Sequence, residues 1–267
     1  MESWPVAWLD RLPPWLQVSL ICVILVGFTW LGIVAVHPIL RRLLHGEEPS
    51  NEAIIFSAAN FGLFYAVLLG LLTIETFQTT KDVTDTIDRE ASNLSTLYSM
   101  ADGYPDPLRT QLKGELRDYA RYVIDKAWPA QRQGVVLEGG EHRLEAIRRT
   151  VLSFEPGTKT QEVLQGEMQH YLDDMGIARE HRLAAVTAAI PAVLWYLVII
   201  GALLTIAFVW MLHMNAISQV MLGGITALFL GIMLFLIYSL DRPLRGAVNV
   251  SPASFETVYD QVMKWDE

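Results

Sequence analysis

The sequence predicts an all-α integral membrane protein, with four transmembrane helices and a cytoplasmic helical bundle inserted between spans two and three. Three observations predict it. Four long runs lack any charged residue: Leu16–Val36, Ala53–Ile74, Leu183–Leu212 and Met214–Leu240. The chain of 267 residues is 52% hydrophobic and only 18% charged, which is low for a soluble domain. Between the second and third runs, apolar residues recur at helical spacing, as in Val83, Ile87, Leu94, Leu97 and Ala101. A helix rises about 1.5 Å per residue, so roughly 20 apolar residues cross a hydrocarbon core of about 30 Å. All four runs are long enough.

The elements follow in chain order. Residues 1–14 read as an interfacial segment, where WPVAWLDRLPPW sets Trp4, Trp8 and Trp15 as a collar before the first span. Glu2 and Asp10 stand where a signal peptide would be basic, and the first apolar run is too long for a signal core. Residues 15–77 hold spans one and two. Cys22 is the single cysteine, so no intrachain disulfide can form. Residues 78–182 form the helical domain. No Gly or Pro lies between Gly70 and Gly103, so the second span continues as one helix until GYPDP at 103–107 stops it. Further helices are expected from Leu108 to about Trp128, over His142–Phe154, and from Thr160 to about Ala178. PAQRQGVVLEGG is read as the loop between the first two of these, and Gly176 is the weak point of the last. Short connections of this kind favour a bundle. Residues 183–240 hold spans three and four. The tail, 241–267, carries a short helix that starts with Ser251 as cap and Pro252 as first residue. Phe255, Val258, Tyr259 and Val262 give it an apolar face, expected to dock on the bundle or on a neighbouring subunit.

Four spans place both termini and the large domain on one side. Arg11, Lys81, Arg89, Arg179, Arg182, Arg242 and Arg245 lie near span ends on that side, while Arg41 and Arg42 lie on the other. Positive residues favour the cytoplasm. The expected location is therefore a cell inner membrane, multi-pass, with both termini and the large domain cytoplasmic.

Two faces of the second span stand out. Ala58, Gly62, Ala66 and Gly70 recur every fourth residue and form a small-residue face for helix packing. Gly223, Ala227 and Gly231 repeat the pattern in the fourth span. A second stripe runs Asn60, Phe64, Val67, Leu71, Glu75, Gln78, Asp82 and Asp85, in steps of three and four that keep one face. It is polar at one end, apolar in the middle and acidic at the other. That order suits a pore-lining helix in a homo-oligomer: the apolar middle would gate by dewetting, and acidic rings would favour cations. Against it stands a plainer reading, with Asn60 bonding a neighbouring helix and the carboxylates simply solvated.

Enzymatic motifs are missing from the sequence: there is no Walker loop, GxSxG or HExxH. His170 with Asp173 and Asp174, and His142 beside Glu141, are read as solvated helix surface, without metal-ligand spacing. No cofactor is expected. A net charge of −9 speaks against nucleic acid. The partners expected are the lipid bilayer, further copies of the chain and a permeant inorganic ion.

The order of NFGLFYAVLLG, IDREASNLSTLY (87–98), LRDYARYVIDKAWP (116–129), PAVLWYLVIIGALLTIAF (191–208) and DRPLRGAVNVSPASF resembles a bacterial membrane family catalogued as bestrophin-like. The resemblance covers about residues 55–256. It implies a homopentameric ion channel with a cytoplasmic helical domain and a pore neck lined by the second membrane helix. Eukaryotic bestrophins pass chloride, and some bacterial relatives pass cations. The expectation is thus a bestrophin-like homo-oligomeric ion channel, cation- rather than anion-conducting. The alternative is a membrane-anchored scaffold or signalling protein whose helical bundle binds a partner.

Overall fold

A computed structural model describes residues 12–43, 51–245 and 250–264, with side chains described over 12–35, 51–245 and 250–264. Trp4, Trp8, the side chains of Arg41 and Arg42, and Gly246 lie outside the described residues. Among the described residues every regular element is helical. Four helices are long and apolar enough to cross a membrane. The chain forms two compact units, one ending at Gln78 and resuming over Ala189–Asp241, the other built from Thr79–Ala188 and the chain from Arg242 onward.

The first unit contains α1 (Pro14–Leu43), the front of α2 (Asn51–Met100), α7 (Ala192–Met211) and α8 (Ala216–Leu240). Helix α1 packs along α8. A Cβ placed on Gly231 would lie 2.9 Å from Cys22 Sγ and 3.1 Å from Cys22 Cα, so only glycine admits this approach. Gly223 meets Thr29 and Ile33 in the same seam, and Ala227 is fully buried. Helix α7 joins through Trp210, whose indole N–H donates to Thr29 O at 3.0 Å. Tyr65, Leu69 and Leu72 of α2 pack with Val198, Ala202 and Ile206 of α7. The Tyr65 hydroxyl donates to Val198 O at 2.8 Å, satisfying a buried polar group. At one end of these helices, the Asn51 amide donates to His213 O and its carbonyl accepts from His213 N–H, at 2.9 and 3.0 Å.

The second unit holds the rest of α2, with α3 (Leu108–Tyr122), α4 (Trp128–Arg132), α5 (Gly139–Leu152), α6 (Lys159–Thr187) and α9 (Ala253–Val258). Its core gathers Ile87, Leu94 and Leu97 from α2, Leu112 and Leu116 from α3, Ile147 from α5 and Met168 and Leu172 from α6. All are essentially unexposed, and each such side chain contributes roughly 1.5–3 kcal/mol by leaving water. Phe255 of α9 is buried in the same core, so the tail helix docks on its own chain.

Helix boundaries depart from expectation in four places. Helix α5 runs from Gly139 to Leu152, not from His142 to Phe154, so the expected loop ends earlier. The helix begun at Leu108 does not end at Trp128: it passes through a π-turn, Val123–Ala127, and continues as α4 to Arg132. Pro129 lacks an N–H and crowds the carbonyl four residues earlier, and a wider turn there accommodates both defects. The charge-free run from Leu183 is not all membrane span. Residues up to Thr187 finish α6 straight through Gly176, with Ala185 and Val186 in the second core, and α7 starts only at Ala192. Pro191 disfavours helix at Ile190. Asp241 Oδ1 accepts the Ile190 N–H at 2.5 Å, and Asp241 Oδ2 accepts from the Trp195 indole at 3.4 Å. Ser251 does not cap α9: Pro252 holds the cap position without a side-chain bond, and Ser254 bonds Asp88 instead.

Candidate functional site

Helix α2 is one unbroken α-helix of 50 residues. Two of its threonine hydroxyls bond back along the helix, Thr73 to Leu69 O at 2.8 Å and Thr84 to Thr80 O at 2.9 Å. Successive residues turn by about 100°. Ile54, Tyr65, Leu69, Leu72, Thr76, Val83, Ile87, Glu90, Leu94 and Leu97 are buried and share one narrow face.

The stripe from Asn60 to Asp85 lies about 120° round the helix from that face. All eight of its residues are exposed in the single chain. Phe64 is 74% exposed, Val67 54% and Leu71 62%, in the middle of a membrane span. Among the described residues Asn60 donates to its own helix, at Phe56 O, 2.9 Å. Glu75, Gln78, Asp82 and Asp85 continue the exposed face. The arrangement is a helix face with an amide at one end, exposed apolar side chains in the middle and three carboxylates at the other.

The small residues of α2 divide from those of α8. Gly223, Ala227 and Gly231 meet α1, as described. Among the described residues nothing outside the helix's own turns lies within 4 Å of a Cβ position at Gly62 or Gly70, Ala66 is exposed, and Ala58 is half-buried. The α2 small face thus packs on no neighbour among the described residues at Gly62 and Gly70.

A buried polar cluster that the sequence reading passed over lies in the second unit. Arg182 donates from Nε to Glu90 Oε2 at 2.6 Å, from Nη2 to Glu90 Oε1 at 2.9 Å and from Nη1 to Gln131 Oε1 at 2.7 Å. Tyr119 donates to Glu90 Oε1 at 2.7 Å. Arg182 also faces the rings of Trp128 and Phe255 at 5.9 and 5.8 Å. Burial pushes the Tyr119 hydroxyl well above the usual phenol range, and the Glu90 charge adds to it. Burial opposes the Arg182 charge, but Glu90 overrides it, so the guanidinium titrates above its ordinary value. The signal was present: Glu90 falls in the apolar register of Ile87 and Leu94, and Arg179 and Arg182 extend the register of Leu172 and Met175. This cluster is sealed from solvent, and its geometry is that of a clamp.

The acids beside His142 and His170 pair with arginine or with the histidine itself. Asp173 pairs with Arg148 at 2.7 Å, Glu141 with Arg179 at 2.5 Å, and exposed His170 lies 3.7 Å from Asp174.

Known proteins fit this architecture. A family model described as a bestrophin-like domain matches residues 23–255. Among solved structures, a single-substitution variant of a bacterial bestrophin homologue from Klebsiella pneumoniae superposes with a TM-score of 0.70 at 13% identity, covering 94% of this chain and 99% of that one. A zinc-phased structure of a Klebsiella pneumoniae bestrophin homologue gives 0.69 at 13% identity, covering 92% and 97%. No curated protein matches the sequence. At this identity the superpositions speak for the fold, while the sequence match covers most of the chain. The chain belongs to the bestrophin-like family.

Proposed function

We propose that the protein is a homo-oligomeric, cation-preferring ion channel of a bacterial inner membrane, with α2 lining the path. One observation carries this reading: every residue of the Asn60–Asp85 stripe is exposed, on a helix whose buried face lies about 120° away. An amide and carboxylates along one face of a span helix are costly against lipid and are useful against water. Copies arranged about an axis would turn the stripe into stacked rings. Phe64 or Leu71 would be the narrow apolar gate, and Glu75, Asp82 and Asp85 would concentrate cations at the mouth. The bestrophin-like family supports a channel assembled from several copies, five in the arrangement the resemblance implies. The basic residues near span ends support a cytoplasmic position for the termini and for the second unit.

Glu75→Gln tests the selectivity directly. Its reversal potential under a salt gradient should shift toward zero. An unchanged reversal potential removes Glu75 from the path.

A further inference from the structure

The exposed face of α2 does not stop at Asp85. Steps of three and four residues carry it on through Arg89, Ser92, Thr96 and Ser99. Asp85, Ser92 and Ser99 are seven residues apart, as are Asp82, Arg89 and Thr96. A seven-residue period held over several turns keeps one face toward a common axis when helices coil left-handedly about it. In a coiled coil with a dry core these positions would be apolar. Here none of the six is. Arg89, Ser92 and Ser99 are exposed, and Thr96 is half-buried.

Contacts within the second unit hold the rotation of this part of α2. Ile87, Ala91, Leu94 and Tyr98 are buried on the far side of the helix. Glu90, next to Arg89, is gripped by Arg182 at 2.6 and 2.9 Å. The tail helix takes one flank, where Ser254 donates to Asp88 beside a groove lined by Ser92, Ser95, Ala253 and Thr257. Thr96 donates to Ser92 O at 3.0 Å, and Ser99 donates to Ser95 O at 3.1 Å. With their protons turned to the helix, these hydroxyls keep lone pairs for water or a cation. Arg89 is the one basic residue in the series. Its guanidinium stays charged at every working pH, and its place on the helix is about 6 Å past that of Asp85.

We propose that Arg89 is a selectivity determinant of the path. Copies of α2 about an axis set Asp82, Asp85, Arg89, Ser92, Thr96 and Ser99 as successive water-facing rings. The Arg89 ring repels the cations that the two acidic rings gather, and so limits the preference those rings create. The inference rests on the reading that α2 lines the path.

Two measurements test it. In Arg89→Gln the permeability ratio of potassium to chloride, read from the reversal potential under a KCl gradient, should rise several-fold. Arg89→Lys keeps the charge and should hold the parent ratio. An unchanged ratio in Arg89→Gln, where Glu75→Gln does shift it, overturns the role of Arg89 and leaves the α2 path standing. Silence, or a ratio that neither variant moves, removes the path, and the inference falls with it. Cross-linking reads the geometry without any current. In a ring of copies, identical residues approach one another most closely at the axis. Ser92→Cys in a Cys22→Ser background, treated with a bis-maleimide in membranes, should give several-fold more linked dimer than Glu167→Cys, exposed on α6. Equal linking at 92 and 167 would overturn the proposal.

Discussion

Arg182 grips both carboxylate oxygens of Glu90 across a separation of 92 residues, at 2.6 and 2.9 Å, and neither residue is more than 1% exposed. With Tyr119 and Gln131 the pair ties α2, α3, α4 and α6 together. A buried pair of this kind is strongly destabilised when one partner is removed, by about 3–5 kcal/mol, because the other is left uncompensated. Glu90→Ala should therefore lower the thermal midpoint of the purified protein far more than Glu167→Ala, a change at an exposed residue. The double variant Glu90→Leu with Arg182→Met should recover much of that loss. Equal melting of Glu90→Ala and Glu167→Ala would show that the clamp contributes little.

Alkaline pH should loosen the second unit. Burial pushes the Tyr104 hydroxyl up to about 12, and Tyr119 stands well above the ordinary phenol value. The unfolded chain releases these protons near pH 10. Stability is therefore level below about pH 10 and falls as pH rises toward the folded values, by up to about 1.4 kcal/mol per unit for each tyrosine. Tyr119→Phe should flatten part of that fall, as read from denaturation midpoints between pH 8 and 11. The Tyr104 hydroxyl is buried without a hydrogen-bond partner among the described residues, so Tyr104→Phe should leave the neutral-pH midpoint unchanged or raised.

The two small-residue faces should fail in different ways. Gly231→Val drives a side chain into the Cys22 backbone and should reduce the yield of folded monomer. Gly62→Leu and Gly70→Leu start from positions with open space among the described residues and should fold, yet break the oligomer on native mass analysis. Intact oligomers in both α2 variants would place the subunit interface elsewhere.

These contrasts mark what could be read before folding. Charge-free length gave the four candidate spans, and the lack of Gly or Pro from 71 to 102 gave the long α2. Helical spacing marked Val83, Ile87, Leu94, Leu97 and Ala101, and all five are buried in the core of the second unit. Register alone could not tell which small face is used within the chain: Gly62 and Gly231 have the same spacing and opposite surroundings. A basic residue before an apolar run looks interfacial, so Arg179 and Arg182 read in the sequence as topology markers near a span. Their burial depends on Glu90 and Glu141, distant in sequence. The stop at 188–191 was hidden by continuous hydrophobicity, although Pro191 marked it. The stripe on α2 was legible as a pattern, and its exposure is what the coordinates add.

If that stripe lines a path, its apolar middle is the barrier. Leu71→Ser or Phe64→Ser should wet the constriction and increase the current at a fixed voltage, while Leu72→Ser, on the buried face, should instead impair folding. A larger current from neither stripe variant would move the gate off α2.

The central claim is tested most directly by the reversal potential of the purified protein in a planar bilayer under a KCl gradient. Single-channel currents reversing near the potassium equilibrium potential are the predicted result. Reversal near the chloride potential would contradict the cation assignment. Silence across voltages from protein verified as inserted would contradict conduction itself and favour the membrane-anchored scaffold.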